Sequence, residues 1–490
     1  MDIVVVGSGT AGLISCIYLK QAFPKYNIKV ISSSSIGIIG VGEGSTEHWR
    51  QFQDYCQIDP MDMVINTDAT YKLGIRFEGW TNHTPDYFHS INSSGALHKG
   101  NFIPSYADAV LKNELLTDKF SSLGIKSNKI DNIKDHPNYA NQFHFDTFRI
   151  NEYLIKIAKK RGIVFIDDEV TNINRNKENG FIESISLKEN KNIKGDFFID
   201  ASGFKRVLMS SLDDQKFVSY SDYLPCDSAI AFPTESDPSG QVRPYTRAIA
   251  MDAGWVWEIP TQKRRGNGYV FSSRYASESQ AVDELSKSFS RDIIPARSFK
   301  FEPGYYKKTW QFNCIAVGLA ASFVEPLEAT SISTTIQQVM ILSSYLPTFN
   351  DKTKFGVDEY HRIMDSVMEN ILTMISLHYI TDRNNLPMWR DQMGMKKPEL
   401  TERLLGLWGE RLPEAQDIPR TGFELFHVYH FYHVAQGQGL INNKNAKIQI
   451  NAYDSNFVIN DWYNTFNNAR NIKPLVDHGS AIRSLYGRNR

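Results

Sequence analysis

The opening stretch, "MDIVVVGSGTAGLISCIYLKQAFP", constrains the fold more than any other part of the chain. Four apolar residues, Ile3 to Val6, run into Gly7, Gly9 and Gly12, after which Leu13, Cys16 and Ile17 fall at helical spacing until Pro24. The pattern reads as strand, tight turn and helix. In such a turn the first glycine makes the bend, the second lets the backbone approach a pyrophosphate, and the third lets the helix pack on the strand. The helix start then presents free N–H groups and the positive end of its dipole to the phosphates. A second strand-like run, "NIKVIS", follows, so Gly7, Gly9, Thr10, Ala11 and Gly12 are expected to hold a dinucleotide. The acid expected at the end of that second strand, where it would hold the adenosine ribose, is replaced by Ser32, a weaker hydrogen-bonding partner. The turn alone does not separate NAD, NADP and FAD.

At 490 residues the chain has the length of two or three domain-sized units. Its 54 Lys plus Arg balance 55 Asp plus Glu, so charge favours neither nucleic acid nor an anionic membrane nor a polyanionic substrate. The longest clearly apolar run, Cys314 to Val324, is too short to span a bilayer, and Asp2 stands where a signal peptide would carry basic residues. Cys16, Cys56, Cys226 and Cys314 show no zinc spacing. A reduced, cytoplasmic, metal-free protein is expected.

No repeat or long linker divides the chain. "SSSSIGIIGVGEGSTEHWR" is expected to be a glycine-rich loop leading into a helix, with Glu43 and Glu47 near the helix start, where the dipole favours acids. Residues from about Lys112 to Asn141 are polar and rich in asparagine and lysine, as in a surface insertion or flap. The buried strand Phe197 to Ile199 breaks into Asp200, Ala201, Ser202 and Gly203; small residues there allow a ligand near the backbone, or simply end a strand. Around Gly318 the theme of strand, loop and long helix repeats, the helix starting near Ser331. Ile363, Val367, Ile371 and Ile375 recur every fourth residue, so the region beyond about 350 is expected to be mainly helical.

Further blocks carry a resemblance: "GVGEGST" (Val41 to Thr46 and its neighbour), "YKLGIRF" (Tyr71 to Phe77), "HFD" (His144 to Asp146), "DASGF" (Asp200 to Phe204), "GWVWEIP" (Gly254 to Pro260), "FVEPLEATSI" (Phe323 to Ile332) and "HYITDRNNLPMW" (His378 to Trp389). Together with the glycine turn they make the chain similar to the flavin-dependent tryptophan halogenase family over nearly its whole length. The resemblance implies a mixed α/β fold: a Rossmann-like FAD/NAD(P)-binding fold of the GR2 flavoprotein monooxygenase type. In it, an FAD module within 1–350 (segments near 1–50, 140–210 and 300–350) interleaves with a substrate-facing sheet (about 70–110 and 215–300), and a helical region, 351–490, completes the pocket. It implies FAD as cofactor, reduced to FADH2 by a separate flavin reductase, with O2 and halide giving hypohalous acid that reaches a small aromatic substrate. Beside the glycine turn, the implied FAD contacts are Ser32, Val41, Gly42, Val170, Ala201, Ser202, Gly203, Gly318, Leu319 and Ile332. Lys72 and Glu328 take the catalytic places, Lys72 polarising hypohalous acid or forming a haloamine, Glu328 accepting the proton lost from the arene. Glu325, three residues earlier, is the natural confusion with Glu328. Trp255 and Trp257 take the place of a flavin shield.

Two departures bear on specificity. Where family members commonly read Glu-Ser-Thr-Gly, this chain has Glu328-Ala329-Thr330-Ser331, so the halide place falls on Thr330 and Ser331. A side chain at Ser331 is expected to forbid a φ > 0 backbone and to favour bromide or iodide. The family's His-x-Phe clamp on indole keeps its histidine as His89 but has Ile91 in place of phenylalanine, and the sandwich's tryptophan is replaced near Phe431; losing aromatic partners removes roughly 0.5–1.5 kcal/mol per pair. An electron-rich indole or phenol is expected, with free tryptophan a poor substrate. A flavin hydroxylase or a non-catalytic FAD-binding protein would share the glycine turn but need neither Lys72, Glu328 nor the tryptophans. A homo-oligomer is compatible with the sequence.

Overall fold

The computed structural model describes residues 1–37, 40, 42–90, 102–112, 124–130, 141–189, 191–237, 239–350, 352–452 and 475–486. The chain divides into two compact units, one made of Met1–Ala69, Phe145–Tyr220 and Glu302–Met368, the other of Thr70–His144, Ser221–Phe301 and Glu369–Arg490.

In the first unit the opening strand Asp2–Val6 sits inside a six-stranded sheet. The order is Trp310–Gln311, Cys314–Ala316, Phe197–Asp200, Asp2–Val6, Asn27–Ser32 and Val164–Asp167. All neighbours are parallel except the edge strand Trp310–Gln311. Ile3, Val4 and Val5 have no exposed surface, as in a parallel sheet covered on both faces. The register pairs Val6 with Ile31 and Asp200, Asp200 with Ala316, and Ser32 with Asp167. The strand ends therefore fall in line at one edge, the edge where α/β sheets bind ligands. Helix Thr10–Ala22 packs on helices Thr147–Lys160 and Thr330–Tyr345. Asp146 caps helix Thr147–Lys160, accepting from the N–H groups of Phe148 and Arg149. A three-stranded antiparallel sheet, Val170–Arg175, Ile182–Leu187 and Asn192–Lys194, buries Ile182, Ile185 and Leu187 with Val4, Val6 and Phe198.

The second unit is built on a seven-stranded sheet ordered Arg297–Lys300, Ser228–Glu235, Arg264–Phe271, Gly254–Pro260, Tyr245–Ala250, Gly74–Glu78 and Asp86–Ser90. The short strand Thr70–Lys72 pairs antiparallel with Gln142–Phe145, placing Thr70 opposite His144 and Lys72 opposite Gln142. Ile363, Val367, Ile371 and Ile375 are all buried on helix Lys354–His378, whose first part belongs to the first unit and whose end belongs to the second. Most of the polar stretch from Lys112 to Asn141 lies outside the described residues; within it, Lys129–Ile130 pairs with Val476–Asp477. No helix among the described residues is long and apolar enough to cross a membrane.

Candidate active site

The glycines of the first unit differ in what surrounds them. Gly7 has φ +112°, and a Cβ there would lie 2.2 Å from the Ala201 carbonyl oxygen. A Cβ on Gly12 would lie 2.0 Å from the Gly7 oxygen, whereas one on Gly9 would meet nothing within 4 Å. The space in front of Gly9 is thus open, and Gly9 caps helix Thr10–Ala22 with no side chain of its own. Thr10 donates to Asn151 Oδ1 at 3.0 Å, and Ala11 lies under Gly318, whose φ is +58° and whose Cβ would stand 2.6 Å from that of Ala11. Leu319 is partly buried in the same turn.

The turn after Phe197–Asp200 is organised by Asp200, which is fully buried. Its carboxylate accepts from Ser202 N and Oγ at 3.1 and 2.5 Å and from Leu208 N and Met209 N at 2.8 Å each. Ala201, Ser202 and Gly203 are therefore held as a fixed backbone arc, with open space beyond Gly203. Ser32 O accepts from Asp168 N at 3.0 Å. The acids missing from the strand of Ser32 come from beside it: Asp167 accepts from Ser34 N, and Glu169 from the hydroxyls of Ser33 and Ser35. Val170 follows, partly buried, at its strand's start. Open space at Gly9 and Gly203 and an uncapped helix start suit a dinucleotide's pyrophosphate.

Two expectations in this unit need correction. Glu43 is not at a helix start: it lies in the short strand Glu43–Gly44, while the helix begins at His48 with Glu47 as its cap. Away from the dipole, burial pushes the Glu43 carboxyl up to about 7. Gly42 is partly buried in the preceding loop, and Val41 lies outside the described residues. The second correction is at Ser331. The left-handed residue is Ala329, with φ 56°, and Ser331 lies inside helix Thr330–Tyr345 without a positive φ. A side chain at Ser331 therefore imposes no backbone strain.

Glu328 ends a 3-10 turn, Pro326–Glu328, directly before that helix, and Glu328 and Glu325 are both buried. The helix start carries no side-chain cap, so the Thr330 and Ser331 amides meet the positive end of the dipole. Thr330 and Ile332 are buried beside them. The glycine-rich loop is tied to this helix: Thr46 Oγ1 bonds Ser333 Oγ, and His48 bridges Thr46 at 3.0 Å and Gln337 at 3.2 Å.

In the second unit, Lys72 has no exposed surface. Its strand is fixed on each side. Leu73 N donates to Pro244 O at 2.6 Å and Tyr71 N donates to His478 Nε2 at 3.2 Å. Two residues before Lys72, Thr70 donates its hydroxyl proton to Pro260 O at 2.7 Å and contacts His144 Nδ1 at 3.1 Å. That proton being used, His144 Nδ1–H is the donor to Thr70, and Nε2 accepts from the Thr246 hydroxyl at 3.0 Å. Burial, with the charge of Lys72 beside it, holds the His144 ring well below the usual histidine range and keeps it neutral. The sequence placed His144 in a motif but assigned it no role.

The tryptophan strand Gly254–Pro260 lies next to Arg264–Phe271. Trp255 is buried with Trp80 at 6.2 Å, and Trp80 meets Trp389 edge-on at 5.2 Å. Trp257 lies across Gly268, where a Cβ would fall 2.0 Å from the indole ring. His89 Nε2 and His430 Nδ1 bond at 2.8 Å, with the His433 ring 5.9 Å from that of His89. Phe431, one position on, is fully buried against Trp408 at 6.3 Å, so on helix Val428–Gly437 it is His430 that reaches His89. Ile91 lies outside the described residues.

Comparison with known proteins bears on both units. The sequence family described as tryptophan halogenase matches residues 2–452. The tryptophan 6-halogenase ThaL of Streptomyces albogriseolus is 31% identical over 429 residues, covering 80% of this chain and 79% of its own. The tryptophan 6-halogenase SttH of Streptomyces toxytricini is 29% identical over 478 residues, 90% of this chain and 89% of its own. Among solved structures, a tryptophan halogenase from Shewanella frigidimarina superposes with a TM-score of 0.89 at 25% identity, covering 100% of this chain and 98% of the other. BrvH, a flavin-dependent halogenase from Brevundimonas sp. BAL3, superposes with a TM-score of 0.81 at 27% identity, covering 99% of each.

Proposed function

The chain belongs to the tryptophan halogenase family and is a flavin-dependent halogenase, and from that premise we propose that it halogenates an electron-rich indole or phenol carbon, with FAD held at the glycine turn. The observation that carries this reading is Lys72, a lysine with no exposed surface on a strand fixed at both neighbouring amides. An ammonium is taken out of water at a cost of several kcal/mol unless its surroundings compensate, which favours a functional lysine over a surface one.

Bound reduced flavin supplies, with oxygen, the oxidising equivalents that turn halide into hypohalous acid. Gly9 and the Asp200-ordered arc leave room for the pyrophosphate. The Thr330 and Ser331 amides hold the halide, and the Ser331 side chain, where glycine is common in the family, shifts preference toward bromide or iodide. The Lys72 ammonium donates to hypohalous acid, or its free amine takes the halogen as a haloamine with release of water; the neutral His144 beside it adds no competing charge. The Glu328 carboxylate takes the proton that the arene loses. Trp255 and Trp257 keep substrate from the flavin. A separate reductase supplies FADH2. A polar His89–His430 pair in place of an aromatic clamp suits substrates other than free tryptophan.

The test is a mass-spectrometric screen of the protein with FAD, NADH and a flavin reductase against indoles, phenols and tryptophan, with chloride, bromide or iodide in turn. Halogenated indole or phenol exceeding halogenated tryptophan supports the reading; a tight tryptophan complex by calorimetry contradicts it.

A further inference from the structure

The family match ends at residue 452, yet His478, beyond it, touches the strand of Lys72. His478 opens the helix His478–Tyr486 and has no exposed surface. Its Nε2 accepts the Tyr71 N–H at 3.2 Å, its Nδ1–H donates to Val242 O at 3.1 Å, and its own N–H donates to Asn128 O at 3.0 Å. These bonds fix one tautomer of a neutral ring, and burial agrees, pushing its pKa down to about 4. The helix is anchored independently: Val476–Asp477 pairs with Lys129–Ile130, Ile482 and Leu485 are buried, and the Tyr486 hydroxyl donates to Gln262 at 2.6 Å.

We propose that His478 is a positioning residue for Lys72: the chain's C-terminal helix supplies the acceptor that fixes the backbone immediately before the lysine. The Leu73 amide on the other side is held by Pro244 O, so Lys72 sits between two fixed peptide groups, one of them dependent on a residue 407 positions away in sequence. Without His478 the Tyr71 N–H loses its acceptor, the strand end frees, and the ammonium moves relative to the path of the halogen. Displacements of about 1 Å at a reacting group cost on the order of 100-fold in rate. The inference rests on the halogenase reading of Lys72.

The experiment compares full-length wild type, His478→Leu and His478→Gln, with FAD, a flavin reductase, bromide and indole. It reads bromoindole against free hypobromous acid captured by a soluble 1,3-diketone, together with FAD affinity and melting temperature. Glutamine keeps an acceptor for Tyr71 N–H and a donor for Val242 O. His478→Leu is expected to lower bromoindole about 10- to 100-fold while FAD affinity stays near wild type and free hypobromous acid holds or rises as unused oxidant escapes, and His478→Gln to recover most of the product. A general packing role would lower both yields together and overturn the proposal, as would an unchanged ratio in His478→Leu. If His478→Leu does not fold, His478→Phe, which keeps a ring in the buried site but has no acceptor for the Tyr71 N–H, decides in its place: product loss there with the oxidant still made supports the proposal, and wild-type product overturns it. Wild type making neither bromoindole nor hypobromous acid would instead sink the halogenase reading itself.

Discussion

A residue's place in the glycine turn sets what a side chain added there would do. Gly12 faces the Gly7 carbonyl at 2.0 Å, and Gly9 faces open space. Gly12→Ala should therefore lower the melting temperature of the FAD-free protein, while Gly9→Val should leave it within a degree or two and weaken FAD binding at least about tenfold, a loss of roughly 1.4 kcal/mol; both are read by thermal denaturation and fluorescence titration. The bend at Gly7 and the close packing at Gly12 were legible from spacing alone, because strand, turn and helix are contiguous. Ser331 was legible only in identity. That a positive φ falls on Ala329 instead depends on where the helix begins, which residue type does not fix. If the Thr330 and Ser331 amides hold halide as proposed, Ser331→Gly should raise chloride turnover relative to bromide by removing a side chain beside them, with little change in stability; an unchanged chloride-to-bromide ratio in competition assays would count against that role.

Among elements, the strand Gly254–Pro260 shows how a neighbour sets a side chain's place. Trp257 can lie where it does because Gly268, its cross-strand partner, has no Cβ. Gly268→Ala should displace the indole, changing tryptophan emission and near-ultraviolet dichroism while far-ultraviolet dichroism stays constant, and lower the halogenated product formed per flavin oxidised. The tryptophan motif was plain in the sequence, but the glycine opposite was not, since strand pairing is not local. Helix Val428–Gly437 gives the same lesson. Phe431 was chosen by position, but neighbours on a helix point about 100° apart, and the phase set by packing on Trp408 turns His430 to His89.

For the whole molecule, each unit draws on three separate stretches of chain. The sequence offers only the absence of a linker as a sign of interleaving; the exchange points and the return of His478 to Tyr71 arise from contacts with no local signature. Stability carries the imprint of these buried groups. His144 is held well below 6.5, and His361 and His478 are pushed down to about 4 by burial; His361 Nε2 accepts the Trp310 N–H at 3.2 Å. A folded-state pKa below the unfolded value means the unfolded chain binds more protons, so this stability is complete above pH 6.5 and is lost as pH falls through 4. Glu43, raised to about 7, acts in the opposite sense, its contribution fading as pH rises toward 7. Burial raises Glu284 and Glu369 in the same sense as Glu43, but the three histidines act together with carboxylates held low, against their burial, beside arginines, Glu78 with Arg247 and Asp417 with Arg411, so the melting temperature should fall as pH drops from 6.5 to 4, and His361→Gln should flatten that slope.

The measurement that bears most directly on the account is product formation by wild type and Lys72→Ala side by side, with bromide, reduced flavin supply and an indole or phenol, quantified by mass spectrometry alongside FAD affinity. The account predicts brominated arene from wild type, its loss in Lys72→Ala to the level of free hypobromous acid chemistry, and unchanged FAD binding. Equal bromination by both proteins, or hydroxylated arene from wild type, would contradict it.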